Sequence, residues 1–175
     1  MHKYIAFLRA INVGGNSIIK MADLKQTFES FGLENVQTYI QSGNVIFESD
    51  EKDASVLEEQ IESQLEKTLG KKIQLFVRTM RQLIAILNAC PFHPKEGESV
   101  YVVMLDKKPS KKSIEGLMTF RSEFDDFVVK GREGYQLRRN REKSTFVNHS
   151  MEQILHVPGT ARNLTTIKKL VEKYA

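Results

Sequence analysis

Two short clusters of uncharged polar residues and glycines follow apolar segments near the start of this chain. The first is Arg9-Ala10-Ile11-Asn12-Val13-Gly14-Gly15-Asn16 and the second is Gln41-Ser42-Gly43-Asn44. Glycines let a backbone approach a ligand closely, Ser and Asn orient it, and Arg9 supplies a positive charge. A third group, Arg162-Asn163 with Thr165-Thr166, precedes an amphipathic stretch near the other end. An arginine beside a helix N-terminus opposes the helix dipole unless an anion meets both. Arg9, Asn12, Gly14, Gly15, Ser42, Asn44, Arg162 and Asn163 are therefore the expected ligand-binding residues, and the chemistry they suit is recognition of a small anionic molecule. The bland alternatives are a solvated loop, a hairpin turn and a surface arginine ahead of an Asn cap.

Other chemistries find less support. Gly14-Gly15-Asn16 fits neither G-x-G-x-x-G nor G-x-x-x-x-G-K-[ST], so neither usual phosphate loop is expected. His2, His93, His149 and His156 are scattered, and Cys90 is the single cysteine, so no metal site and no cofactor is expected. No G-x-S-x-G surrounds Ser42, Ser144 or Ser150. Whether the chain is an enzyme is left open, since no nucleophile and base stand out.

The elements that must position these residues follow from periodicity. An apolar strand over 4–9 leads to a helix carrying Met21, Leu24, Phe28 and Phe31, with Gly32 at its end. No Ser, Thr, Asp or Asn caps that helix, so its first amides need some other partner. Val36–Ile40 and Val45–Phe47 read as a hairpin across Ser42-Gly43, with Gly43 left-handed. Ser55-x-x-Glu58 reads as a capping box for a helix with Leu57, Ile61, Leu65 and Leu69 inward, and Ile73–Val77 as the next strand. The order β-α-β-β-α-β is ferredoxin-like. In the usual strand order for it, the end of the first strand and the start of the third are expected at opposite or diagonal ends. The two polar clusters are then not automatically one site, though a site formed with the other subdomain stays open.

Thr79-x-x-Gln82 opens a helix stopped by Pro91 and Pro94. Beyond it come an apolar strand over 100–105, a helix from Ser110, a hairpin around Gly131–Gly134, a helix that Ser144 can cap and a last helix opened by Asn163. This reads β-α-β-β-α, the same order without its last strand. The expected architecture is α+β: a ferredoxin-like subdomain over 1–79, a helix and Pro-bounded connection over 80–97, and a second ferredoxin-like subdomain over 98–175, lacking its last strand and carrying the C-terminal helices.

Apolar content of 41% with 27% charged residues is ordinary for a globular protein. The expectation is a cytoplasmic protein, with no leader at Met1, no apolar run of membrane-spanning length and one thiol suited to a reducing compartment. The net charge of +4 resides in the second half, with Arg138, Arg139, Arg141 and Lys143 clustered. Those four cations, with aromatics Tyr4, Phe7 and Phe47 on central strands, form the alternative reading of a nucleic-acid-binding module. The third alternative is a protein-interaction module. Nothing in the sequence sets an oligomeric state.

The strings FLRAINVGG, Lys20-Met21-Ala22-Asp23-Leu24, TYIQSGNVIF and TARNLTT together resemble the bacterial domain-of-unknown-function 1697 family. The match runs in order from Tyr4 to about Leu170. Where members of that family read Gly after Phe-Leu-Arg, this chain has Ala10, which argues against a need for bare backbone at that position. The resemblance implies a fold and a bacterial cytoplasmic setting, and it supplies no reaction.

Overall fold

The first strand, β1 (His2–Leu8), is buried from Tyr4 to Leu8, as a central strand covered on both faces must be. In the computed structural model, which describes residues 1–15 and 18–175, β1 is followed by α1 (Met21–Ser30), β2 (Glu34–Tyr39), β3 (Asn44–Ser49), α2 (Ala54–Leu69) and β4 (Leu75–Thr79). The four strands form an antiparallel sheet in the order β2-β3-β1-β4. Tyr4, Ala6, Leu8, Val45 and Phe47 on one face pack with Leu24 and Phe28 of α1 and with Leu57, Ile61 and Leu65 of α2.

The chain continues through α3 (Met80–Asn88) into β5 (Ser99–Leu105), α4 (Lys111–Met118), β6 (Asp125–Lys130), β7 (Glu133–Arg138), α5 (Met151–Leu155), β8 (Gly159–Asn163) and α6 (Leu164–Tyr174). The second sheet has the equivalent order, β6-β7-β5-β8. Val103 and Leu105 on one face pack with Leu117, Phe127, Phe146, Met151 and Leu155. The protein is thus α+β, with two ferredoxin-like units. Unit 1 comprises Met1–Ile84 with Leu170–Ala175, and unit 2 comprises Ala85–Lys169. Both α3 and α6 therefore begin in one unit and end in the other.

Unit 2 does not lack its last strand. Gly159–Asn163 pairs antiparallel with β5, with Met104 opposite Thr160 and Val102 opposite Arg162. Its composition, with one β-branched residue beside glycine and arginine, hides it from a propensity reading; pairing with an apolar central strand decides it.

Two expected caps are also reassigned. Asp53, not Ser55, caps α2 by accepting from the Ser55 amide at 2.9 Å. Ser144 caps no helix: its hydroxyl donates to buried Asp125 at 2.7 Å, and Ser150 caps the five-residue α5 instead. The box at the start of α3 forms as its sequence reads, with the Thr79 amide donating to Gln82 Oε1 and the Gln82 amide to Thr79 Oγ1.

Released from a capping box, Glu58 serves β4. This strand lies at the edge of its sheet, where alternate amides have no strand partner. Glu62 Oε1 accepts from the Leu75 amide at 2.9 Å and Glu58 Oε1 from the Val77 amide at 2.6 Å. Removing such an acceptor leaves a buried donor unpaired, which costs about 1–3 kcal/mol. Glu62→Ala is therefore expected to lower unfolding stability by about that amount in a urea titration. Glu59→Ala, whose side chain is exposed on the same helix, should change it by less than about 0.5 kcal/mol.

Candidate functional site

The end of β1 and the start of β3 lie side by side, against the expectation of opposite ends. The strands run antiparallel, so the exit of one meets the entry of the other; Phe7 is opposite Asn44, and the Leu8 amide donates to Gly43 O at 2.9 Å. Six of the eight predicted residues, Arg9, Asn12, Gly14, Gly15, Ser42 and Asn44, are thereby carried on neighbouring loops at one end of unit 1. The remaining residue of the first cluster, Asn16, lies outside the described residues.

Most of their polar groups are engaged with their own backbone. Asn12 Nδ2 donates to Ile19 O at 3.0 Å and Gln41 O at 2.9 Å, while its Oδ1 accepts from the Ile19 amide at 2.8 Å. One side chain thus ties both ends of the glycine loop to the tip of the β2–β3 hairpin. Asn44 is fully buried, and its Nδ2 donates to Tyr39 O and Ser42 Oγ, both at 2.9 Å. Arg9 donates through Nη1 to Gln74 Oε1 at 3.1 Å, and through its amide to Gln74 O at 2.8 Å.

The backbone here is unusual. Ala10, Asn12, Gly14, Gly15, Ile40 and Gly43 all have left-handed φ, between 53° and 77° apart from Ile40 at 51°. Gly43 has a second requirement, since a Cβ there would lie 2.6 Å from Ile11 Cδ1. At Gly14 and Gly15 a Cβ would meet nothing within 4 Å, so the loop is open on that side. Ala10 occupies a conformation that glycine adopts at least as readily, which accounts for glycine there in the family the sequence resembles. The hairpin differs from its expected form: Tyr39 pairs with Asn44, so the loop is four residues and Ile40 belongs to it.

Two features of this end escaped the sequence reading. Lys20 is the N-cap residue of α1, and its side chain makes no cap hydrogen bond. A lysine there opposes the dipole, as an arginine does beside the start of the last helix. Val13, Ile18 and Ile40 are 65%, 75% and 49% exposed; Val13 follows Asn12, and Ile18 and Ile40 precede the two residues, Ile19 and Gln41, that its side chain joins.

Arg162 and Asn163 are in unit 2. Arg162 precedes the cap of α6 as its sequence suggests, but it also lies within β8; it is buried, and its Nη1 donates to Thr160 Oγ1 at 2.8 Å and Ala161 O at 2.9 Å. Desolvation lowers its pKa to about 10, so it stays protonated at neutral pH. Asn163 Oδ1 accepts from the Thr165 amide at 2.9 Å, which is the cap its sequence suggests.

Three of the four cations of the basic cluster make local contacts. Arg138 lies over the Tyr101 ring at 5.6 Å, Arg139 Nη1 donates to Glu123 O at 3.4 Å, and Lys143 lies over the Phe124 ring at 5.6 Å. Arg141 is exposed. Tyr4, Phe7 and Phe47 are each at most 1% exposed, and Tyr4 stacks on Phe47 inside the core, so these rings offer no base-stacking platform. Among the described residues no three His, Cys, Asp or Glu side chains gather as a metal site, and no helix is long and apolar enough to cross a membrane.

Against known proteins, the family model described as "Protein of unknown function (DUF1697)" matches residues 1–135. A solved structure, "conserved bacterial protein SP0830 from Streptococcus pneumoniae", is similar with a TM-score of 0.77 and 24% identity, over 98% of this chain and 97% of that one. At that identity the likeness establishes the fold. No curated protein matches.

The contacts of Asn12 and Arg162 set two expectations. Asn12→Ala removes three hydrogen bonds and should destabilise unit 1 by about 2–3 kcal/mol, with limited proteolysis cutting the glycine loop faster than in the parent. Arg162→Ala should cost about 2–3 kcal/mol through its lost bonds and buried stem, read from equilibrium unfolding. A neutral or stabilising effect would return Arg162 to the candidate ligand-binding residues.

Proposed function

The chain belongs to the DUF1697 family, and from that premise we propose that it is a cytoplasmic binding protein for a small anionic ligand, held at the loop end of unit 1. The observation that carries this reading is Lys20. A residue at an N-cap normally accepts a hydrogen bond from the first turn; lysine cannot, and its charge is unfavourable beside the positive helix end. An anion at the N-terminus of α1 reconciles the two, since it meets the first-turn amides and the lysine ammonium together. Gly14 and Gly15 leave backbone open nearby, and Asn12 holds the loop by Ile19, two residues before the helix. Asn12, Ser42 and Asn44 act in this reading by shaping the loops, and Arg9 by adding positive charge. No reaction is assigned.

A second reading rests on Ile40. A β-branched side chain in the left-handed region is strained, and one that is 49% exposed recovers little of that through burial. With Val13 and Ile18 it offers an apolar surface suited to a protein partner.

A thermal-shift screen over nucleotides, sugar phosphates, and acyl and amino-acid derivatives tests both readings. A ligand of the native state raises Tm. Lys20→Asp introduces a cap and a favourable charge, so it should stabilise the unliganded protein by about 1 kcal/mol while abolishing the shift produced by any anionic hit. A hit whose shift survives Lys20→Asp overturns the assignment to this helix end. Ile40→Asn separates the second reading: it should raise unliganded stability, leave anion binding intact, and abolish any self-association or partner binding seen by light scattering.

A further inference from the structure

A recess of about 260 Å³ lies wholly within unit 2 and is lined by Tyr101, Gln136, Arg138, His149, Ser150 and Glu152. The strand register places three of these on one face. Tyr101 of β5 is directly opposite Gln136 of β7, and Arg138 follows Gln136 by two residues, so the three side chains leave the sheet on the same side. Val103 and Ala161, opposite one another on β5 and β8, continue that face as an apolar floor. Residues 149–152, at the start of α5, form the other wall.

The sheet wall carries two donors that the fold does not use. Gln136 is only 7% exposed, and its Nε2 has no hydrogen-bond partner among the described residues. Arg138 Nε is likewise buried and without a partner, although its guanidinium lies over the Tyr101 ring at 5.6 Å. A buried donor left unpaired is costly, and native proteins have few of them. Here two occur two residues apart on one strand, on one face, beside a recess. Both are N–H groups, so the complement they require is an acceptor. The guanidinium plane, held by the aromatic ring, suits a planar acceptor pair such as a carboxylate.

Charge narrows the class further. Among the lining residues Arg138 is the fixed cation, and Glu152 supplies a carboxylate on the opposite wall. A singly charged ligand is neutralised by Arg138, whereas the second charge of a phosphate dianion would have no counter-charge there and would be repelled more strongly by Glu152. The volume is below the usual range of about 300–1,000 Å³ for drug-sized ligands, and the apolar floor accommodates a short aliphatic portion. We propose that this recess binds a small monocarboxylate, its oxygens accepting from Gln136 Nε2 and Arg138 Nε. The site shares no residue with the loop end of unit 1, so either assignment can fail without the other.

The test uses the intact protein with acetate, propionate and butyrate at constant ionic strength, and with inorganic phosphate and sulfate as contrasts. Binding is followed by Tm and by the ¹⁵N–¹H signals of the Gln136 side-chain amide and Arg138 Nε. Saturable movement of both signals with a rise in Tm is expected for the carboxylates, and less for phosphate or sulfate. Gln136→Met keeps the bulk without the donor and should weaken carboxylate binding roughly tenfold. Glu152→Gln, at a half-buried position that carries none of the core, should tighten it several-fold by removing the like charge, and remains informative if Gln136→Met fails to fold. Lys20→Asp should leave all of this unchanged. The proposal is overturned if no carboxylate moves either signal, if phosphate and sulfate act as strongly as the carboxylates, or if Glu152→Gln leaves carboxylate affinity unaltered. A Gln136→Met protein that is more stable and binds carboxylates as the parent does would also overturn it.

Discussion

Antiparallel pairing of β1 with β3, and the register that sets Phe7 opposite Asn44, is the constraint on which the loop end of unit 1 depends. It brings the exit of the first strand to the hairpin tip, so that a glycine loop and a tight turn share one edge of the sheet. Asn44 is buried in that register, and its amide donates to Tyr39 O and Ser42 Oγ, two bonds that close the hairpin. Gly43 then admits Ile11 where any side chain would exclude it. From these contacts Asn12 can reach two segments far apart in sequence. A shift of one residue between β1 and β3 would exchange their buried and outward faces and dissolve this arrangement.

Short polar side chains in this protein mostly serve the polypeptide itself. Asn12, Asn44, Asp53, Ser144 and Ser150 each satisfy amides, carbonyls or a carboxylate nearby, and Glu58 and Glu62 cover the free amides of an edge strand. Groups that stand outside this internal economy are correspondingly informative. They are a lysine at the start of α1, an exposed isoleucine in a left-handed turn, and two buried donors on β7. Each sits in a conformation or environment that its own chemistry disfavours, and each borders open space.

Much of the architecture was legible because its signals are repetitive. Leu57, Ile61 and Leu65 recur at helical spacing and all are buried; Thr79 and Gln82 form their reciprocal cap; the apolar run ending at Leu105 is a central strand. What escaped depended on partners distant in sequence. Gly159–Asn163 has the composition of a linker and becomes a strand by pairing with β5, which buries Arg162 in the ladder that leads into α6. Ser55 lost its cap to Asp53 because that carboxylate, two residues earlier, reaches the same helix end. For the candidate site, the loops named from composition lie next to one another, but the partners of their side chains were not legible. Whether an asparagine faces a ligand or its own backbone depends on where neighbouring carbonyls fall, and those positions are set by tertiary structure. Gln136 carried no local signal at all: its amide is conspicuous only through what surrounds it.

Unit 1 includes Leu170–Ala175, residues that follow the whole of unit 2 in sequence. Within it the Lys3 ammonium donates to Tyr174 O at 2.8 Å, and Tyr174 meets Tyr39 edge-on. On a ribosome, the unit whose strands emerge first is therefore the one completed last. Leu170 and Tyr174, both buried, reach it only after all of unit 2 has been made. Such an interval exposes nascent chains to chaperones and to mispairing, and the carboxylates of α2 along the β4 edge, encoded before that strand emerges, are in place to guard it throughout.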